Sequence, residues 1–256
     1  MLDRFSNRMR NRSAALLLKL DNRLDRILIC WLLAAGFAAT LRIASAPHAV
    51  PAARLSTFLS YLLVVVAPFA STLLALHWFP RNHQLTQPST RLAIAGSWRS
   101  LSRAEAERHP LYGCSGIMVS LMLGMMINVP VRAAEYLTAM PPLPLASPPW
   151  LSALHYAMTV DVVLFSSLYM IAFVAALRRV PLFPRLLVAI WFGDLLMQLS
   201  IAEVLSTIHL PISVAVALKA MLVGNVKKVL ISMALWLPYL LLSKRVNVTY
   251  RHRLPA

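Results

Sequence analysis

The chain has 256 residues, a length that suits one or two domains, but its composition is not that of a soluble protein. Hydrophobic residues make up 59% of it and charged residues 13%, about half of the usual share in soluble domains, and the mean hydropathy is +0.67. Lys and Arg outnumber Asp and Glu by 25 to 9, which gives a net charge of +16. A nucleic-acid-binding protein could share this basic excess but not the long apolar runs. The composition therefore indicates a polytopic membrane protein and no nucleic-acid partner.

Six stretches are long and apolar enough to cross a bilayer as helices, for which about 20 residues are needed. They predict an all-α membrane helix bundle with six transmembrane helices. In chain order, the predicted spans are residues 27–46, 58–79, 114–140, 150–177, 182–208 and 213–242. Only the short His209-Leu210-Pro211 turn joins the last two spans, so these spans are predicted to form an antiparallel hairpin.

The spans divide the chain into four segments. These are a basic N-terminal segment (1–26), a two-span hairpin (27–79), a basic cytoplasmic loop (80–112) and a four-span core (113–250). Apolar residues at helical spacing in the first segment fit an amphipathic helix on an anionic leaflet, but a charged anchor that fixes the topology is the favoured interpretation, because charge alone satisfies the insertion rule. Within the loop, residues 91–109 predict a surface helix. Five prolines between residues 141 and 149 predict an extended, stiff strap.

The basic residues alternate from one side of the predicted bundle to the other. Nineteen lie in the N-terminal segment, in the loops after the second and fourth spans, and in the C-terminal tail. The alternate segments hold only Arg42, Arg54, Arg132 and Lys219. Because Lys and Arg are enriched on the cytoplasmic side, both termini are predicted to be cytoplasmic. A cleaved signal peptide in place of the first span is the competing interpretation, but its removal would break this alternation.

No catalytic or metal-binding motif occurs in the sequence. His77 and His83 do not have the spacing of a zinc protease, and the remaining histidines are scattered. The Gly-Cys-Ser-Gly run at residues 113–116 is not a nucleophile elbow, because its serine adjoins the second glycine. The sequence therefore predicts no catalytic residue, no metal site, no cofactor and no enzymatic activity.

Charged residues inside the spans are the most informative feature, since such groups are expensive in lipid and usually face the bundle interior. At a helix rise of about 1.5 Å per residue they fall into two layers. The predicted buried layer comprises Asp161, Asp194, Asn225, Lys227 and Lys228, and the predicted outer layer comprises Arg132, Glu135, Glu203 and Lys219. Because the last two spans form a hairpin, Asp194 is predicted to contact Lys227 or Lys228. The buried layer is either a polar pathway or an ion-paired structural clamp.

The C-terminal half carries three short motifs. The first comprises Trp236, Pro238, Tyr239, Ser243, Lys244, Arg245, Val246, Thr249 and Tyr250, the second is the basic-then-Phe-Pro junction at residues 178–184, and the third is the glycine-containing run 113–116. With these motifs, residues 111–250 resemble a bacterial inner-membrane family that is catalogued as domain of unknown function twenty-five sixty-nine. The resemblance implies a four-span unit in the bacterial inner membrane. It implies no activity, because none is assigned to the family.

Two functions remain open from the sequence. Small size and short outer loops favour a non-catalytic membrane subunit or scaffold, whose partners are an anionic cytoplasmic leaflet and either another membrane protein or a second copy of the chain. The alternative is a small transporter or permeation protein that uses the polar layer of spans four to six. A water-lined cavity reaching Asp194 and Lys227 would favour transport, whereas a dry, fully paired layer would favour the scaffold.

Overall fold

The computed structural model of the chain is a helical bundle with one small sheet. It describes residues 2–45, 55–81, 86–88, 92, 96–143 and 147–256, with side chains described from residue 12 onward except at residues 55 and 56. Arg54, the centre of the predicted proline strap (144–146) and most of residues 89–95 lie outside the described residues, so the predictions made for them are not examined by the structure.

The secondary structure follows the chain in a simple order. The helices are α1 (Leu2–Asn22), α2 (Leu24–Ala44), α3 (Leu55–Trp78), α4 (Arg103–Arg108), α5 (Ile117–Ala139), α6 (Pro149–Leu177), α7 (Phe183–Ser206), α8 (Ile212–Leu242) and α9 (Lys244–Arg251). The two strands, β1 (Trp98–Ser100) and β2 (Arg253–Pro255), pair antiparallel with Arg99 opposite Leu254.

Six long helices cover the six predicted stretches, which confirms the helical class of the fold. Five of them, α2, α3, α5, α6 and α7, are long and apolar enough to cross a membrane. The sixth, α8, has 31 residues but carries Lys219, Lys227 and Lys228, and it is not one of these five.

Helix α6 lies at the centre of the bundle, where it packs against α3, α5 and α7. Near its end Ala172, Ala175 and Ala176 are fully buried, and such small side chains allow neighbouring helices to approach closely. Helix α8 packs chiefly on α7 and leaves several large apolar side chains exposed, among them Ile231 and Leu235. An exposed apolar face of this kind suits lipid rather than water.

One end of the bundle is held by polar contacts between α3, α5 and α6. The Tyr61 hydroxyl donates to the backbone oxygen of Met140 at 3.0 Å, and the Tyr136 hydroxyl lies 2.7 Å from Thr159 Oγ1. The fully buried His155 packs between the rings of Tyr61 and Tyr136. These contacts make His155 part of the packing between helices.

The opposite end contains α4, α9 and the two-stranded sheet, which the sequence did not predict. The predicted helix over residues 91–109 is wrong in extent, because within the described part of that range only Arg103–Arg108 is helical and Trp98–Ser100 is a strand. A capping box explains where α4 begins, since Ser102 accepts from the Glu105 backbone N–H and the Glu105 carboxylate accepts from the Ser102 N–H. The strand is fixed by Arg253, whose guanidinium stacks 4.2 Å from the centre of the Trp98 ring.

Candidate functional site: a buried ion-pair network beside a groove

A single arginine on α5 binds two carboxylates from neighbouring helices. Arg132 Nη2 donates to Asp194 Oδ1 of α7 at 2.6 Å, and Arg132 Nη1 lies 3.6 Å from Asp161 Oδ2 of α6. Both aspartates are 1–2% exposed and Arg132 is 8% exposed. The guanidinium also lies 5.3 Å from the centre of the Phe165 ring. Three helices are therefore joined by one buried cation.

Neutral polar side chains complete the network around these charges. Gln198 Nε2 donates to Asp161 Oδ1 at 2.8 Å, and the Tyr169 hydroxyl donates to Asp194 Oδ2 at 3.3 Å. Asn225 Nδ2 of α8 donates to Gln198 Oε1 at 3.3 Å. Hydrogen bonds thus connect α6, α7 and α8 in addition to the ion pairs, as is expected for polar groups in a low-dielectric interior.

Helical spacing explains why these side chains meet. Asp194 and Gln198 are four residues apart and lie on one face of α7, and Asp161 and Tyr169 are eight residues apart on one face of α6. Gly193 of α7 faces the Phe165 ring of α6 at this contact, where an added Cβ would lie 3.7 Å from the ring, an ordinary van der Waals distance. The local sequence of each helix therefore places polar groups at the contact between α6 and α7.

The network carries an excess of negative charge. Arg132 contributes one positive charge, whereas Asp161 and Asp194 contribute two negative charges when both are ionised. An uncompensated charge in a low-dielectric interior is strongly unfavourable. The three groups together are neutral only when one carboxyl group holds a proton or a small cation lies beside it. The network is therefore chemically suited to bind and release one positive charge.

The predicted pairing of Asp194 with a lysine of α8 is wrong. Lys228 Nζ instead forms an ion pair with Glu135 of α5, and Lys227 is exposed with no ion pair among the described residues. Arg132, which was placed in the outer layer, occupies the position expected for the lysine. Arg132 lies roughly 22 Å from the start of α5, and Lys228 lies roughly 21 Å from the end of α8, so the backbones of the two residues are at similar depths in the bundle.

The structure consequently does not keep the two predicted layers apart. Asp161, Asp194 and Asn225 belong to one network with Arg132, and Lys228 pairs with Glu135 across α8 and α5. Glu203 and Lys219 are exposed and form no ion pair within the described part of the chain. Gln198 and Tyr169 also belong to the network and were not predicted. A polar residue four positions after Asp194 in an apolar span was a usable signal for Gln198.

A groove of about 310 Å³ runs between α5 and α8 and reaches this network. Its inner wall includes the buried side chains of Tyr169, Trp191 and Asp194, and Arg132 also lines it. Ile127 and Val131, which are exposed, lie on its outer edge, so the groove opens on the surface of the bundle. Lys227 does not line it. Its size and its mostly apolar walls with a few polar groups are typical of small-molecule sites.

A second polar cluster is formed by the C-terminal motif, where α9 returns beneath the bundle. Arg245 Nη1 donates to the backbone oxygens of Leu111 and Gly113 and to Ser115 Oγ, and Thr249 Oγ1 accepts from the Gly113 N–H at 3.0 Å. The backbone of Gly113, whose N–H donates to Thr249, has a φ of +101°, which is unfavourable for residues other than glycine. The motif residues therefore fix α9 to the loop that precedes α5.

Tyr250 is the centre of this second cluster. Its hydroxyl donates to the backbone oxygen of Ala176 at 3.0 Å and lies 3.0 Å from Cys114 Sγ, and its ring centre is 5.0 Å from that of Phe183. Burial raises the pKa of Tyr250 well above its ordinary value, so the hydroxyl stays protonated and can donate. All three motifs that carry the family resemblance meet at this cluster.

Within the described residues, no group of three or more His, Cys, Asp or Glu side chains is placed to hold a metal ion. The five long apolar helices and the buried charges between them define a multi-pass helical membrane protein. Comparison with family models, with curated proteins and with solved structures finds no match to this chain. The resemblance of residues 111–250 to a family of unknown function accordingly stays a prediction.

Proposed function

We propose that the chain is a small transporter of a bacterial inner membrane, in which the groove beside Arg132 and Asp194 is the substrate site and the carboxylate pair binds a coupling proton or small cation. The observation that carries this proposal is the groove of about 310 Å³ that reaches the buried ion pair. A structural clamp needs no such opening. The surplus carboxylate supports the same function, because intramembrane acids that exchange a positive charge occur in proton-coupled transport.

The scaffold remains the second candidate, and the pairing of the network favours it. Arg132 has two carboxylate partners, and each carboxylate has a further neutral donor in Gln198 or Tyr169. A network that is satisfied to this degree can hold helices together without moving any substrate. The two candidates differ in one measurable property, which is whether water reaches the groove from either side of the membrane.

Cysteine accessibility measures this property directly. Ser232 of α8 lines the groove. In a background of Cys30→Ala and Cys114→Ser, we expect Ser232→Cys to react with a charged, water-soluble methanethiosulfonate reagent. The matched control is Ile231→Cys, which has nearly the same depth on α8 but lies on its outer face with 67% exposure. Lipid prevents ionisation of a thiol at this control position, and the thiolate is the reactive form.

The transporter proposal also predicts the sidedness of this reaction. Ser232→Cys should be labelled in both right-side-out and inside-out vesicles, and Asp194→Asn should change the ratio of the two rates by several-fold. If Ser232→Cys is as unreactive as Ile231→Cys from both sides, the groove is dry and the scaffold is the better description.

The proposal includes six spans, α2, α3 and α5 to α8, with both termini in the cytoplasm. Its support is that the helix ends carrying most of the basic residues lie together. Asp21 at the end of α1 pairs with Arg81 after α3 and with Arg178 after α6, and Tyr250 of α9 contacts Cys114 before α5. Basic residues gathered at one end of a bundle mark its cytoplasmic side.

Reporter fusions test this orientation. We expect fusions at Pro88 and at His252 to have the activity of a cytoplasmic reporter, and a fusion at Pro144 to have that of an external one. The reason is that positive residues in short loops resist translocation. An external signal at Pro88 would overturn the six-span arrangement.

A further inference from the structure

A second, larger pocket lies at the basic end of the bundle, far from the Arg132 network in the fold. It has a volume of about 600 Å³ and lies where the ends of α1, α3 and α6 meet α4 and the turn before α7. Its charged lining comprises Arg81, Arg103, Arg178, Arg179, Asp21 and Glu107. Four arginines against two acids leave this pocket with an excess of two positive charges.

The acids satisfy the arginines only in part. Glu107 pairs with Arg103 at 2.7 Å, which leaves Asp21 as the acid for the other three arginines of the lining. Asp21 is shared, since Arg81 Nη2 lies 2.8 Å from one of its oxygens and Arg178 Nη2 lies 3.4 Å from the other. The buried Nε of Arg178 has no hydrogen-bond partner among the described residues. A guanidinium presents several N–H donors in one plane, and two such groups around one carboxylate leave donors free for another anion.

Arg179 provides the unpaired positive charge of the pocket. It has no carboxylate partner within the described residues, and its guanidinium is held 5.1 Å from the centre of the Tyr112 ring. Its backbone has φ of +57° because it is the left-handed residue of the Schellman motif that ends α6, in which the N–H groups of Arg179 and Val180 donate to the backbone oxygens of Ala176 and Ala175. The end of α6 therefore fixes the backbone of Arg179 beside the pocket.

We propose that this pocket binds the phosphate headgroup of an anionic phospholipid. Its arginines match phosphate in charge and in hydrogen-bonding geometry. Apolar side chains lie beside it at the membrane boundary, where Phe79 lines the pocket and Trp78 and Leu182 are exposed, so an acyl chain has a surface to follow. A soluble anion would not need this surface. Basic pockets on the cytoplasmic side of helix bundles bind anionic headgroups by the same physics.

Lipid retention in native mass spectrometry tests the proposal on the full chain. The purified protein is incubated with equal amounts of phosphatidylglycerol and phosphatidylcholine, and the bound lipids are counted. We expect the wild-type protein to retain several-fold more phosphatidylglycerol. Arg179→Gln should reduce this preference several-fold, and Arg178→Gln combined with Arg179→Gln should abolish it. The matched control is Arg108→Gln, an exposed arginine of α4 that does not line the pocket.

Circular dichroism and size-exclusion chromatography verify that each variant is folded. Arg179→Gln removes no ion pair among the described residues, so it remains informative if the double variant is unstable. Equal retention of the two lipids by the wild-type protein, or an unchanged preference in Arg179→Gln, would overturn the proposal. Arginine-dependent binding of soluble pyrophosphate without a preference for phosphatidylglycerol would overturn it as well. None of these outcomes depends on the groove at Arg132.

Discussion

Arg132→Met should be the most damaging single substitution in the buried network. It leaves Asp161 and Asp194, both nearly inaccessible, without the cation that lies between them. Removal of one partner from a buried ion pair costs about 3–5 kcal/mol, because the remaining charge is uncompensated. The free energy of unfolding in a denaturing detergent titration, together with the yield of folded protein, measures this loss.

Neutralising an aspartate alone should be milder. In Asp194→Asn the guanidinium still lies 3.6 Å from Asp161, so the cation keeps a partner. Combining Arg132→Met with Asp161→Asn and Asp194→Asn should recover part of the stability lost in Arg132→Met, since all three charges are then removed. A triple variant as unstable as the sum of its single substitutions would mean that these residues do not act as an ion-paired unit.

The same variants separate a clamp from a pathway. If Asp194→Asn lowers the stability and leaves the accessibility of Ser232→Cys unchanged, the network serves mainly to hold the helices together. If the protein stays folded and the accessibility ratio between the two sides changes, the network takes part in opening the groove. The groove beside the ion pair leads us to expect the second result.

Tyr250→Ala should have an effect of similar size at the other end of the bundle. The side chain is 1% exposed and packs against Phe183, so its removal leaves a large cavity between α9, α6 and α7. Truncation of a buried aromatic residue to alanine costs about 3–5 kcal/mol. The detergent titration should show this loss, and limited proteolysis should cleave α9 faster in the variant than in the wild-type protein.

Tyr250→Phe is the matched control, because it keeps the ring and removes only the hydroxyl. The backbone oxygen of Ala176 still accepts from Cys114 and from the Arg179 N–H, so the loss should be about 1 kcal/mol. If Tyr250→Phe and Tyr250→Ala are equally unstable, the hydroxyl contacts rather than the ring packing hold α9 in place.

The positions of the long helices follow from the long apolar runs in the sequence. A run of about 20 apolar residues has to satisfy its backbone hydrogen bonds internally, and an α-helix does so, which is why the six predicted stretches are all helical. Asp161, Asp194 and Asn225 were predicted to lie in one layer because the helix rise converts residue number into depth. They do lie in one network. The strand Trp98–Ser100 was missed, since its pairing with β2 depends on residues that are far away in sequence.

The pattern of apolar and charged residues along the chain is enough to predict long apolar helices with charges inside them. Which of these charges pair depends on how the helices pack. A membrane helix that is apolar on all sides carries little periodic signal, so the sequence does not reveal that Arg132 faces α6 and α7 while Lys227 faces outward. The guanidinium also sits at the end of a long flexible side chain, and depth counted from backbone positions misplaces its charge. The pairing of Asp194 with Arg132 follows from the rotation and offset of packed helices, which no local pattern encodes.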